Sequence, residues 1–579
     1  MAPEVAVSTP VLIVGAGPAG LALALTLLKN GVSVRVIDKT STHHTGQRGA
    51  GIHPRTMEVY NFLGVLPDVL SASRPVSPIR VYKLPGGTEV VKEFRMVPRT
   101  DPTPAVPYVE FVVLGQDHAE GILRSHMEKY GCHVELGTEL VSLEQHPEYV
   151  VARIAKTRDG KQVVEEVTCH WLVGTDGARG VVRNQIGLTF HGETRGVEQH
   201  MIVADFQLNG HFDRNFMHQW GEMSQKFIWM RPTTHGNNGW NLMGGGRGID
   251  HAKIVADKAE LIKFVHETTN RKDIDIGEVH WTSEYRPNIR MVNKFGEGRV
   301  FVAGDAAHVH SPMGAQGMNS SVQDSVNTIL LFSLYPAYRD AFNQFNLGWK
   351  LALVEKGLSA PSLLSTYNEE RLPVITEMLK KTTQLQDKMA IAKPHDESVW
   401  DRSGPIMQLG INYRWSSIVV DERAKTEDTP NQPLNAYGAL SGDLHAGDRA
   451  PDAPGLHKIK GPDSFDETTS LFRVFGCSYH TVLIFTSDGE GLEAILGAVK
   501  QYPANALRIA LVVPTDVAAR PTADVDLMLL DQDGYAFTGY VSHDKTTVVI
   551  VRPDGVVGGI LLSAEGVERY FGRIFGTSV

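Results

Sequence analysis

Ten residues near the start, Val11-Leu-Ile-Val-Gly-Ala-Gly-Pro-Ala-Gly20, constrain the fold more than any other stretch of the chain. Val11 to Val14 read as a buried parallel strand, because an unbroken apolar run suits a strand covered on both faces. Gly15, Gly17 and Gly20 follow in the spacing G-x-G-x-x-G. That spacing supplies a tight turn, a bare backbone that a pyrophosphate can approach, and close packing of helix on strand. The next helix, Leu21 to Asn30, offers its N-terminal amides and dipole to phosphate groups, and Gly31 stops it. Val32 to Ile37 alternates as a second strand and ends in Asp38, whose carboxylate can accept from a ribose hydroxyl. Strand, helix, glycine, strand and acid in register point to dinucleotide binding. These residues alone leave FAD and NAD both open.

A chain of 579 residues exceeds one core, so two or three domains are expected. Residues 1–200 and 286–392 read as one cofactor-binding unit interrupted at 201–285 by a sheet rich in large apolar residues, among them Phe216, Trp220, Trp229 and Trp240. That sheet suits a substrate cavity. Residues 393–436 turn polar and irregular, as in a linker, and 437–579 read as a further α/β unit. The expected fold class is therefore α/β with α+β elements. A net charge of -10 gives no reason to expect nucleic acid or an anionic membrane as partner. Cys132, Cys169 and Cys477 lie far apart, so neither a metal site nor a redox pair is expected, and buried thiols suit a reducing compartment. With no basic leader, no membrane-length apolar run and no peroxisomal address at the end, the expected location is cytoplasmic.

Two further motifs point at the same ligand. Gly174-Thr-Asp-Gly-Ala-Arg179 and Gly304-Asp-Ala-Ala-His308 each place an aspartate just after an apolar strand, beside a glycine that admits a cofactor. Asp305 could hold a ribityl hydroxyl, and Asp176 could position the loop and the pyrophosphate. Read singly, each is equally a turn with a satisfied carboxylate.

Together these motifs resemble the group A flavoprotein aromatic hydroxylases, the family of para-hydroxybenzoate hydroxylase and phenol hydroxylase, over nearly the whole chain. The resemblance implies a Rossmann-like FAD-binding domain, an inserted substrate-binding sheet and a C-terminal thioredoxin-like domain. It implies FAD as cofactor, with NADPH or NADH and O2 as co-substrates. A flavin C4a-hydroperoxide would then hydroxylate a small phenolic or related aromatic substrate, in a homodimer. It places the amides of Met318 and Asn319, after Gly317, against the flavin pyrimidine, and the carbonyl of Pro312 near substrate. Arg48 and Gln116 match further FAD contacts, whereas Arg55, Arg183 and Arg286 are as readily salt-bridge partners.

The chain departs from the family in three places. Phenol hydroxylases carry an aspartate where this chain has Ala50, which leaves His53, His235 or His308 as candidate bases and Tyr285 as a group that could polarise the phenol. The C-terminal unit lacks C-x-x-C, so Cys477 supports no thiol-disulfide cycle, and packing or dimerisation is expected of it. The family motif Q-D-A-x-N-L-x-W-K-L-A is split here into Gln323-Asp-Ser325 and Phe345 to Ala352, and removing Val326 to Gln344 restores it. The piece begins with valine and ends with glutamine, as translated intron edges would; a genuine helix-loop-helix insertion is the alternative. Two other functions stay open: another flavin oxidoreductase such as a halogenase, which Ile228-Trp-Met-Arg-Pro232 faintly resembles, and a flavin-free interaction protein.

Overall fold

The computed structural model describes residues 6–158, 161–196, 199–311, 316–324, 345–391, 397–423, 435–438, 442–515, 523–542 and 545–576. Pro312 and the stretch 326–344 lie outside the described residues. The first strand, β1 (Thr9–Val14), is followed by α1 (Pro18–Lys29) and β2 (Val34–Ile37). The helix starts three residues earlier than expected because Pro18 occupies its first turn, where a missing N–H costs nothing. β1 lies between β2 and the long strand Lys161–Gly174, all three parallel, with Val300–Val302 parallel beyond. Its residues Val11, Leu12 and Ile13 are fully buried, as a strand with helices over it requires. Val150–Arg158 pairs antiparallel with Lys161–Gly174.

A second sheet carries β3 (Met201–Asn209), β4 (Lys226–Pro232), β5 (Gly239–Gly246) and β6 (Asp275–Tyr285). Its order is β6-β3-β5-β4, then Met217–Gly221, Ile79–Tyr82 and Val90–Phe94. The last two strands extend the sheet beyond 201–285. The parallel pairing of Ile79–Tyr82 with Met217–Gly221 sets Ile79 beside Met217, 138 positions on, a contact that no local pattern reveals. One face of this sheet is sealed: Ile228, Met230, Leu242, Ala204 and Phe206 pack with Leu261, Phe264 and Val265 of the helix Lys258–Thr269. The other face is turned toward the first unit.

α2 (Gln316–Asp324) and the helix Phe345–Glu355, which carry residues of the two halves of the split motif, both pack against α1. The C-terminal unit is built on an eight-stranded sheet whose edge strand, Val420–Asp421, comes from the expected linker; in it His480–Phe485 and Leu507–Pro514 run parallel, while Thr547–Val551 and Val557–Leu561 form an antiparallel pair beside them. It is locked onto the first unit by buried charges. Arg552 donates to both oxygens of Glu370 (2.7 and 2.8 Å), and Lys350 donates to the same carboxylate (3.3 Å). Arg449 pairs with Glu58 at 2.6 Å, and Asn30 donates to the Cys477 carbonyl at 3.0 Å. Cys477 is a buried free thiol, as are Cys132 and Cys169. Among the described residues no helix is long and apolar enough to cross a membrane.

Candidate active site

Where the two units face each other they enclose a cavity of about 1140 Å³. One wall is built from the β1–α1 turn. Gly15 has φ +108°, and a Cβ there would lie 2.4 Å from the Thr175 carbonyl oxygen; at Gly20 a Cβ would meet the Gly15 carbonyl. Gly17 differs. It faces the cavity, and a Cβ on it meets nothing within 4 Å. It is the N-cap of α1 and no side chain caps the helix. An open cradle at an uncapped helix start fits a pyrophosphate.

Asp38 stands on the same wall. Its Oδ2 accepts from the Ala16 amide (2.8 Å) and its Oδ1 from the amide and hydroxyl of Thr40 (2.9 and 2.7 Å). Burial opposes its charge, but these donors outweigh burial and hold its pKa below the usual value. The Asp176 Oδ2 accepts from the amides of Val181 (2.7 Å) and Val182 (3.1 Å), bracing the loop after the strand; burial raises its pKa. Arg48, Gln116, Asp305, Gly317 and Met318 also face the cavity. Arg48 adopts φ +38° with its guanidinium 5.8 Å from the Trp281 ring centroid. Asn319 sits behind them, its Oδ1 accepting from the His53 amide (2.8 Å) and its Nδ2 donating to the Gly51 carbonyl (2.6 Å).

The facing wall is the open face of the second sheet. Because strand side chains alternate, Val203, Trp229, Met243 and Ser283 form one row across it, and Asp205, Arg231, Asn241 and Trp281 the next. Trp400, from the expected linker, packs edge-on to Trp229 at 4.8 Å, and Arg402 follows it into the cavity wall. Sequence reasoning missed Arg231, Trp400 and Arg402. Only the alternation Phe227, Trp229, Arg231 carried a signal for the first of them.

Tyr285 and His53 reach the cavity. The Tyr285 hydroxyl donates to the His310 carbonyl (2.8 Å), and burial raises its pKa. His53 is buried and stacks on Phe111 at 5.6 Å. The third candidate base, His308, is buried and stacked against His310 at 6.4 Å. His235, also expected as a candidate base, is a correction: it lies off the cavity wall. Its Nε2 is 3.2 Å from Asp117, which raises its pKa, and its ring stacks on His118 at 4.4 Å and 9°. Asp117, His118 and His235 stand close enough to suggest a metal triad, but near-parallel stacked rings direct their lone pairs into two separate planes. His235→Ala is expected to leave kcat/KM within about threefold, measured by steady-state kinetics, because it removes no cavity contact.

The comparisons with known proteins agree with this geometry. A flavin-dependent monooxygenase of Mycobacteroides abscessus is 32% identical over 97% of this chain and 99% of its own length. Aklavinone 12-hydroxylase of Streptomyces purpurascens is 30% identical over 94% of each chain, and pentachlorophenol 4-monooxygenase of Sphingobium chlorophenolicum is 28% identical over 79% of this chain and 78% of its own. Among solved structures, the flavin-dependent monooxygenase PieE with FAD and substrate superposes with a TM-score of 0.79 at 20% identity, covering 99% of this chain and all of PieE. Aklavinone-11 hydroxylase with FAD and aklavinone gives 0.76 at 24%, with the same coverage. The profile of the FAD binding domain family matches residues 8–335 and 336–382, dividing within the stretch that splits the family motif. Because that match begins at β1 and runs on into the helices beyond the second sheet, it takes in both halves of the interrupted cofactor unit, and the chain belongs to the FAD binding domain family.

Proposed function

We infer that the protein is an FAD-dependent monooxygenase that hydroxylates a phenolic or related aromatic compound, using NADH or NADPH and O2. The observation that carries this reading is a single cavity with a dinucleotide-type wall on one side and an aromatic-lined sheet on the other. The relatives are monooxygenases and hydroxylases, so a halogenase or a flavin-free interaction protein is not favoured. When bound, FAD supplies the redox chemistry that amino acids lack, accepting hydride from the nicotinamide and passing electrons to oxygen.

The chain's own residues bind, orient and exclude water. The bare start of α1 at Gly17 takes the pyrophosphate, Asp38 a ribose hydroxyl and Asp305 a ribityl hydroxyl. Gly15 and Gly20 let strand, turn and helix close up behind it. Arg48, Gln116, Asp176 and the backbone of Gly317, Met318 and Asn319 complete the cofactor side. Trp229, Trp400 and Met243 wall off the substrate side from water, which keeps reduced flavin from wasting its electrons. Tyr285 is a positioning residue, since its hydroxyl proton is committed to the His310 carbonyl. His53, beside Phe111 in the cavity wall, is the candidate to accept the phenolic proton. The C-terminal unit we read as thioredoxin-like in fold and structural in role, and the working form as a cytoplasmic homodimer.

The test is the visible spectrum of the purified chain, then NAD(P)H oxidation with a panel of phenols and mass spectrometry of the products. Flavin bands, phenol-stimulated oxidation and a product one oxygen heavier are expected; a colourless protein, or oxidation that no phenol stimulates, would sink the reading. In Tyr285→Phe the hydrogen bond to His310 is lost, about 1 kcal/mol, so hydroxylated product per NAD(P)H is expected to fall about fivefold.

A further inference from the structure

Arg231 occupies an unusual electrostatic position. It stands in the transverse row Trp281, Asp205, Asn241, Arg231, set by the register of β6, β3, β5 and β4. The acid in that row is already satisfied by neutral donors: Asp205 Oδ2 accepts from the Gln47 amide (2.6 Å) and Oδ1 from Asn241 Nδ2 (2.8 Å). Arg231 itself donates to the neutral Gln47 Oε1 at 3.3 Å, and no ion pair between it and a carboxylate forms among the described residues. The residue is half-buried and lines the cavity. Burial draws its pKa down to about 10 against the pull of Asp205 and Asp117, so it remains a cation at neutral pH.

A guanidinium on a cavity wall that pairs with no carboxylate is open to an anionic group of a ligand. In the adjacent row Val203, Met243 and Trp229 are apolar and Ser283 stands at the β6 end, so an aromatic ring would lie against a mostly apolar wall beside this cation. A second guanidinium, Arg402, also faces the cavity and is held by the carbonyls of Val399 (2.8 Å) and Asp401 (3.1 Å).

We propose that Arg231 is the specificity-determining residue of the cavity, and that the native substrate is an aromatic acid whose carboxylate pairs with this guanidinium. The proposal rests on the monooxygenase reading above and adds the substrate class to it. A guanidinium matches a carboxylate through two parallel N–H donors, which fixes ring orientation as well as position. The residue belongs to the second sheet and not to the β1–α1 turn to which the FAD phosphates are assigned.

The experiment uses the purified FAD-loaded enzyme and two probes of nearly equal shape, 3-hydroxy-2-naphthoate and its methyl ester, each titrated against the flavin absorption band. The wild-type protein is expected to bind the acid at least about tenfold more tightly than the ester, Arg231→Met to lose that preference, and Arg231→Lys to keep part of it. Equal affinities in the wild type, an acid that fails to bind, or a preference that survives in R231M would overturn the proposal. So would release of FAD from R231M, which would assign the cation to the cofactor. A wild-type chain that takes up no FAD fails the functional reading itself, before any probe is added, and takes the proposal with it.

Discussion

Gly17→Val is expected to give a folded, colourless protein. The residue has φ -75°, which valine tolerates, and its Cβ enters open space in the cavity, so nothing in the apoprotein opposes the change. The added isopropyl group then stands where a pyrophosphate would approach the uncapped start of α1. Losing one or two charge-assisted hydrogen bonds, about 1.5–3 kcal/mol each, lowers FAD affinity by about a hundredfold or more. Flavin content at fixed free FAD measures this, with a thermal melt of the apoprotein as control. The same substitution at Gly15 is expected to fail differently: a Cβ 2.4 Å from the Thr175 carbonyl oxygen, at φ +108°, prevents β1, α1 and the Asp176 loop from closing up, so stability falls together with flavin. A G17V protein that purifies yellow at wild-type occupancy would refute the assignment of the helix start to the pyrophosphate.

Glu370→Ala is expected to loosen the C-terminal unit. Glu370 is fully buried between Arg552, which reaches it from the C-terminal unit, and Lys350, and the Ser416 hydroxyl also donates to it. Removing the carboxylate leaves buried Arg552 with Asp554 as its remaining carboxylate and takes from buried Lys350 the carboxylate it donates to, a loss of about 3–5 kcal/mol, read as a fall in Tm of roughly 10 °C and as earlier proteolytic release of the C-terminal half. Burial pushes the pKa of Glu370 up, but Arg552 and Lys350 outweigh burial and hold it below the usual carboxylate value. A depressed folded pKa means that the stabilisation is complete above the ordinary glutamate pKa of about 4.3 and is lost as pH falls through the folded value. Glu370→Gln is therefore expected to lie closest to wild type in acid and furthest from it at neutral pH. Unchanged melting in both variants would show that the two units do not depend on this cluster.

Much of the site on the cofactor side was legible in the chain because its determinants are local. β1, the turn at Gly15, α1 and Asp38 lie within thirty residues of one another, and each needs a residue type that the backbone geometry dictates: apolar for a strand covered on both faces, glycine for φ +108°, proline for a helix start. Asp176 and Asp305 follow the same rule, each at the end of an apolar strand that pairs parallel with its neighbour.

The substrate side followed other rules. Arg231 and Asp205 are 26 positions apart and meet only because β3 and β4 both pair with β5 in one particular register; a slip of one residue would turn Arg231 to the sealed face. Trp400 and Arg402 looked like linker residues and became cavity wall through packing on Trp229 and on the sheet. His235 looked like a candidate base and was drawn off the cavity by Asp117 and His118. The sequence by itself determined the strand, glycine turn and helix that open the cofactor unit, because that information is held in φ angles and short-range periodicity. The tertiary structure decided which side chains share the cavity with it, because side-chain proximity across a sheet depends on pairings between segments that carry no record of each other.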